Sequence, residues 1–302
     1  MDSLILGGCA ILAAGSGTYF ADTYSTKTPT DILSEKRIIT YPFYSALTLV
    51  SVNLLFEYFD EKIVNFMFML YFGLSGTNSI WFLLRSFTNV KSRKLFMYPA
   101  SKSILTEFVL PPHSVPFCVF DIFLYGIGFL VNLIYFVTQN NIANNIIAFS
   151  IAFFAILSIR IEKFTSAAPL LWSLLIYDVF FVYSTDVMSS VASKLQGPVK
   201  LQIHVNGGFS ILGLGDIVIP GIFLSVCKRF DSFLYKLLGK KTLYWKVGMI
   251  GYALSLFFTD FVCQMTQTGQ PALLFITPAI TIPIIILAFT RKEHYAFLSF
   301  SG

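Results

Sequence analysis

Residues 167–188 read AAPLLWSLLIYDVFFVYSTDVM, an apolar run that is long enough to cross a bilayer as a helix and that carries a carboxylate, Asp178, near its middle. A second run, residues 209–227, reads FSILGLGDIVIPGIFLSVC and carries Asp216. A charged side chain at mid-bilayer costs about 3 kcal/mol on insertion scales, so such acids face a water-filled interior and serve a function. We therefore expect the activity of this chain to depend on Asp178 and Asp216.

The composition places these runs in a polytopic membrane protein. Hydrophobic residues make up 56% of the chain and charged residues only 12%, and the mean hydropathy is +0.73. These values exclude an ordinary soluble domain. The net charge of +5 does not indicate a nucleic-acid partner, because the basic residues fall in short loops between apolar runs. The four cysteines lack the spacing of metal ligands, so they predict neither a zinc site nor a disulfide framework.

Runs of about 20 apolar residues predict an all-α fold with nine transmembrane helices in one integrated membrane domain. Within it, residues 1–140 would form spans one to four, and residues 141–302 would form spans five to nine with a short cytosolic tail. The fifth run is short, and the ninth contains three prolines that predict a kinked or partly unwound element. The predicted spans are residues 3–21, 41–59, 63–84, 117–137, 145–159, 167–188, 209–227, 244–265 and 270–289.

The lysines and arginines predict the orientation, because positively charged loops stay on the cytoplasmic side of a membrane. When the loops are assigned alternately to the two sides, only three of the 21 basic residues fall in the poorer set: Lys62, Lys194 and Lys200. We therefore expect a lumenal or external N-terminus and a cytosolic C-terminus.

The two intramembrane aspartates lie on consecutive predicted spans that run antiparallel, with Asp178 about halfway along one and Asp216 about a third of the way into the other. Two carboxyl groups placed close together share a proton, so one can act as a base on water while the other acts as an acid. Gly213 and Gly215 would allow a backbone to approach Asp216 closely and would loosen the helix. Tyr177 would either orient a substrate or pack within the bundle.

Three motifs in order resemble those of the intramembrane aspartyl proteases: Tyr177-Asp178, then the segment from Gly213 to Gly221 that contains Gly213-Leu214-Gly215-Asp216, and then Gln270-Pro271-Ala272-Leu273. The family carries YD, GxGD and PAL motifs on its sixth, seventh and ninth helices, which matches the predicted spans. The orientation and the sequence through Gly221 resemble signal peptide peptidase rather than presenilin. The fold expected is accordingly a presenilin and signal peptide peptidase-like helical bundle.

The resemblance implies that Asp178 and Asp216 form the catalytic pair. It also implies that the other motif residues shape the site and position the substrate: Tyr177, Gly213, Leu214, Gly215, Gln270, Pro271, Ala272 and Leu273. Gln270 could instead be an interfacial polar residue. The implied substrates are transmembrane peptides, such as remnant signal peptides and type II membrane proteins. The implied location is the endoplasmic reticulum membrane, where the partners would be the lipid bilayer and such substrates, with no cofactor and no metal. Self-association into a homo-oligomer stays open.

Other readings remain beside this one. A proton-coupled transporter or ion channel could use the same two aspartates as a relay, and a non-catalytic scaffold would tolerate their loss. The segment Gly73-Leu74-Ser75-Gly76 matches a short serine-protease pattern. However, all three histidines lie outside the apolar runs, so we expect this segment to serve helix packing. Asp121, near the end of a run, is expected to reach headgroups or water.

Overall fold

A computed structural model describes residues 2–24, 31–32, 35–88, 119–205, 208–239, 243–266 and 268–301. The helices are α1 (Asp2–Tyr24), α2 (Glu35–Tyr58), α3 (Glu61–Thr88), α4 (Val119–Thr138), α5 (Asn141–Ser158), α6 (Phe164–Ser184), α7 (Val187–Lys194), α8 (Gly215–Leu238), α9 (Tyr244–Thr266), α10 (Ala272–Thr290) and α11 (His294–Ser299). The strands are β1 (Asp31–Ile32), β2 (Ile159–Arg160), β3 (Lys200–Val205) and β4 (Gly208–Gly213). The short strands β1 and β2 pair in parallel, and β3 and β4 form an antiparallel hairpin.

Each predicted span overlaps a long helix of the described part of the chain. Within those residues, six helices are long and apolar enough to cross a membrane: α3, α4, α5, α6, α9 and α10. A shorter apolar stretch, Ile5–Ala21, lies within α1. The polytopic helical fold is therefore confirmed, whereas the count of nine spans and the division at residue 140 stay predictions. Residues 89–118, which include the start of the fourth predicted span, lie outside the described residues.

Local sequence signals explain several helix ends. Helix α5 begins four residues before the predicted fifth run, because the side chain of Asn140 accepts a hydrogen bond from the main-chain N–H of Ile142 (2.8 Å) and caps the helix. Helix α8 ends at Leu238, and the next residue is Gly239, whose φ of 65° is the left-handed conformation that glycine adopts readily. Helix α10 is continuous from Ala272 to Thr290 although it contains two prolines. Only the first two residues of the ninth predicted span, 270 and 271, therefore lie outside the helix.

The bundle is organised around α8, in which every residue from Pro220 to Cys227 is buried. This helix contacts α1, α5, α6, α9 and α10. Helices α3, α4 and α5 form a second packed group beside it. Glycines permit the closest crossings: a Cβ added at Gly251 of α9 would lie 2.2 Å from the carbonyl oxygen of Ala279 in α10.

The acid that we expected at the membrane surface, Asp121, is instead buried between α3 and α4, with 3% of its surface exposed. Its carboxylate lies 2.5 Å from the guanidinium of Arg85 and accepts a hydrogen bond from the indole N–H of Trp81 (3.2 Å). The arginine provides the charge compensation that makes this burial tolerable. The Gly73–Gly76 segment lies in α3, where a Cβ at Gly76 would lie 2.6 Å from Ile147 of α5, as expected for a packing role.

Candidate active site

Asp178 faces the interior of the bundle from α6, with 5% of its surface exposed. Its Oδ2 accepts a hydrogen bond from the main-chain N–H of Leu273 (3.3 Å), in the first turn of α10. The residue that precedes this helix, Pro271, has no side chain that could cap the unpaired N–H groups of the first turn. The carboxylate of Asp178 therefore does what a capping side chain would do, and it lies at the positive end of the α10 dipole.

Asp216 lies in the first turn of α8, where Leu214 is the N-cap and Gly215 the first helical residue. The predicted span from residue 209 is therefore wrong at its start, because residues 208–213 form strand β4. The main-chain N–H of Leu214 bonds to the carbonyl of Val199 (3.1 Å), which holds the chain outside the helix at this point. Asp216 is consequently at the beginning of the helix rather than a third of the way along a span.

The two aspartates converge although they come from different helices. Helix α6 packs against α8, and the carboxyl groups of Asp178 and Asp216 lie within electrostatic reach of each other. The hydroxyl of Tyr252, a fully buried residue of α9, donates a hydrogen bond to the main-chain carbonyl of Asp216 (3.1 Å). Because aromatic residues are common in apolar runs, nothing in the sequence distinguished Tyr252 as a support of the site.

The two glycines of the GxGD segment have different surroundings. A Cβ added at Gly213 would lie 3.3 Å from Oδ2 of Asp216, so a side chain there would crowd the carboxylate. A Cβ at Gly215 would have no described atom within 4 Å outside its own chain neighbourhood. The expectation that both glycines loosen a helix is wrong, since Gly213 ends a strand and Gly215 begins the helix. The structure leaves open space beside Gly215.

The remaining predicted residues differ in how directly they contact Asp178. Pro271, Ala272 and Leu273 are buried, and the main-chain N–H of Leu273 contacts Asp178. Their role in shaping the site stays a prediction. Tyr177 is half-buried and its ring packs on that of Phe181 (centroids 4.7 Å apart). These contacts favour the packing role for Tyr177.

The side chain of Gln270 forms hydrogen bonds with three other side chains of this protein. It accepts from the hydroxyl of Tyr183 at the end of α6, and it donates to Thr266 (3.1 Å) and Thr268 (3.0 Å). The side chain of Gln270 therefore links the end of α6 to the segment between α9 and α10.

The β3–β4 hairpin is the element that sequence reasoning missed. Apolar and polar residues alternate through KLQIHV, residues 200–205, and Asn206-Gly207 follows. Strict alternation followed by Asn-Gly is a strong signal for a hairpin. Hydropathy predicts a membrane span here, because the apolar residues of the second strand continue directly into those of α8.

A model of the signal peptide peptidase family matches residues 25–302. A probable intramembrane protease of Schizosaccharomyces pombe is 27% identical, with 99% of this chain and 94% of that protein covered. Human signal peptide peptidase is 28% identical, with 85% of this chain and 71% of that protein covered. A probable intramembrane protease of Saccharomyces cerevisiae is 33% identical over 57% of this chain and 32% of its own length. The chain therefore belongs to the signal peptide peptidase family of intramembrane proteases.

Proposed function

We propose that this chain is an aspartic endopeptidase that hydrolyses peptide bonds within transmembrane segments, with Asp178 and Asp216 as its catalytic pair. The observation that carries the proposal is the convergence of two carboxyl groups, each at a helix N-terminus, inside the bundle of an intramembrane protease family member. Neighbouring carboxyl groups do not both ionise readily, so one is anionic while its neighbour keeps a proton.

In this mechanism the anionic carboxylate takes a proton from a water molecule, whose oxygen attacks the scissile carbonyl carbon. The protonated carboxyl group donates its proton to the carbonyl oxygen, which gives a neutral tetrahedral diol. When the C–N bond breaks, the leaving nitrogen receives a proton and the hydroxyl proton returns to a carboxylate. Acid and base are then restored, and one water has been consumed for each peptide bond.

The two helix N-termini support this chemistry electrostatically. The N–H of Leu273 points at Asp178, and Asp216 lies in the first turn of α8. Each N-terminus carries roughly half a positive charge, which stabilises an anion close to it by about 0.3–1 kcal/mol at exposed sites and by up to ~2 kcal/mol when partly buried. The N-termini of α10 and α8 thus place positive electrostatic potential beside the two carboxyl groups.

The β3–β4 hairpin suggests how an unwound substrate would be held beside Asp216. The main-chain groups of Gln202 point away from β4, so in an antiparallel ladder its neighbours Leu201 and Ile203 point toward β4. No strand in the described part of the chain pairs with the far edge of β4. By the same alternation, that edge carries the main-chain groups of Phe209, Ile211 and Gly213. An unwound substrate segment would pair there as an added strand, three residues before Asp216.

The substrates that we propose are single-span segments such as remnant signal peptides and type II membrane proteins. The corresponding location is the endoplasmic reticulum membrane, with a lumenal N-terminus and a cytosolic C-terminus. A helical segment hides its carbonyl groups in internal hydrogen bonds, so it must unwind before water can attack. Pairing with β4 would stabilise the unwound form.

The test is cleavage of a labelled transmembrane peptide by the purified protein in lipid, with the products identified by mass spectrometry. Asp178→Asn and Asp216→Asn should each lower turnover on the order of 10³-fold. Asparagine at position 178 still offers an oxygen to the N–H of Leu273, so the start of α10 is retained. The matched control is Asp260→Asn in α9, whose side chain accepts from Gln264 (2.7 Å) at the bundle periphery.

The result expected is two inactive variants with wild-type helix content and an active Asp260→Asn protein. Retained turnover in either dyad variant would reject the mechanism. Proton-linked flux through wild-type protein in vesicles, without proteolysis, would support the transporter reading instead. Membership of a protease family favours hydrolysis over transport.

A further inference from the structure

Three asparagine side chains project from one face of α5 toward the hairpin. Asn141, Asn144 and Asn145 have the spacing that places residues on the same side of a helix. Asparagine is a poor helix former relative to alanine, leucine or glutamine. Three of them in the first two turns therefore do not serve the helix itself, and their partners lie on another element.

Asn145 binds the main chain of Gln202 in β3 with both ends of its amide. Its Oδ1 accepts from the N–H of Gln202 (2.9 Å), and its Nδ2 donates to the carbonyl of the same residue (2.8 Å). A residue in a neighbouring antiparallel strand would make the same pair of hydrogen bonds. The amide of Asn145 thus replaces one rung of a β-ladder.

The two other asparagines extend this contact. Asn144, which is fully buried, donates from Nδ2 to the carbonyl of Lys200 (2.9 Å). Asn141 accepts from the side-chain amide of Gln202 (2.8 Å). The outer edge of β3 is therefore covered at alternate residues, which leaves the far edge of β4 as the side of the hairpin where a strand can be added.

The covered residues of β3 lie across the ladder from the first residue of the GxGD motif and from the residue two positions before it. Lys200 pairs with Gly213 and Gln202 pairs with Ile211. Oδ2 of Asp216 is 3.3 Å from the place that a Cβ of Gly213 would take. A displacement of β3 would thus be passed through one pair of strands to the main chain next to the carboxylate.

We propose that Asn145 is a positioning residue for proteolysis: by holding the main chain of Gln202, it fixes the β3–β4 hairpin relative to Asp216 and to the extended substrate. This inference rests on the proposed function and identifies a part of the site outside the three sequence motifs. Asn145 acts through the hairpin and makes no contact with the reacting atoms.

The experiment compares wild-type protein with Asn145→Ala, Asn145→Asp and two controls, using the same transmembrane peptide. Asn145→Asp keeps the size of the side chain but replaces the donor with an oxygen that faces the carbonyl of Gln202. Gln202→Ala retains the main-chain contact and removes only the bond to Asn141. Asn132→Ala removes a buried amide that bonds to Thr77 between α3 and α4, away from the hairpin.

Both Asn145 variants should lose kcat by about tenfold or more, because an error of about 1 Å in the position of a reacting group costs about a hundredfold. Cleavage should also spread over neighbouring peptide bonds, because the register of the substrate is no longer fixed. A residue that only stabilises the fold would not produce that spread. Gln202→Ala and Asn132→Ala should retain wild-type kcat within about threefold and a wild-type product pattern.

Wild-type kcat with unchanged products in folded Asn145→Ala or Asn145→Asp would overturn the proposal. So would loss of helix content in both variants, since Asn145 would then be a general packing residue. The outcome is separable from that of the proposed function, because the aspartate variants test the dyad in a protein that retains Asn145. If the aspartate variants are inactive and the Asn145 variants cleave as the wild type does, only the inference about positioning is contradicted.

Discussion

Replacement of Gly215 by leucine should separate the stability of this protein from its activity. Gly215 is exposed at the first position of α8, next to Asp216, and a Cβ there would meet no described atom within 4 Å. The leucine side chain would therefore extend beside Asp216, close to the edge of β4 where we propose that the unwound substrate pairs. The Cβ of the new side chain meets no neighbouring element among the described residues.

The expected effects on stability and activity differ greatly in size. Leucine is favoured over glycine in a helix by at most about 0.8 kcal/mol, so the Tm should rise by no more than about 3 °C for a protein of this size. Turnover should fall by about a hundredfold, because displacing the scissile bond by about 1 Å has that cost. Gly215→Ala should give a smaller loss.

The assay is the rate of peptide cleavage, measured with the Tm of the same preparations. Gly126→Leu in α4 is the matched control, since this glycine is also exposed and also has no described atom within 4 Å of an added Cβ. It should retain both stability and activity. If folded Gly215→Leu cleaves peptide within about threefold of the wild-type rate, the space beside Gly215 is not where the substrate lies.

Two further predictions concern stability. Gly251→Ala should lower the free energy of unfolding by about 1–3 kcal/mol, because the new methyl group would lie 2.2 Å from the carbonyl oxygen of Ala279 and would force α9 away from α10. An unchanged Tm would show that this crossing is not tight. Arg85→Met should cost up to about 3–5 kcal/mol, because it removes a cation that contacts the buried carboxylate of Asp121. Adding Asp121→Asn should restore part of the loss, and a double variant no more stable than Arg85→Met would contradict the ion-pair explanation.

The sequence predicted the helices well because length and apolarity are local properties. A run of about 20 apolar residues satisfies its main-chain groups within lipid only as a helix, whatever its neighbours are. The same reasoning failed at residues 208–213, where β4 is apolar and leads directly into α8. A membrane span and an apolar strand can have the same hydropathy, and the alternation that indicates a hairpin lies in the preceding strand, β3.

By itself, the sequence determined that the chain is a helical membrane protein, that two aspartates lie within its apolar segments, and that it resembles the family to which it belongs. Only the tertiary structure decided what those aspartates contact: the N–H of Leu273 at Asp178 and the hydroxyl of Tyr252 at the carbonyl of Asp216. It also decided that Asn145 hydrogen-bonds to the main chain of Gln202 in the hairpin. Hydropathy and periodicity report the neighbours of a residue along the chain. The partners of a buried polar group come from segments distant in sequence, and they are fixed only when the helices pack.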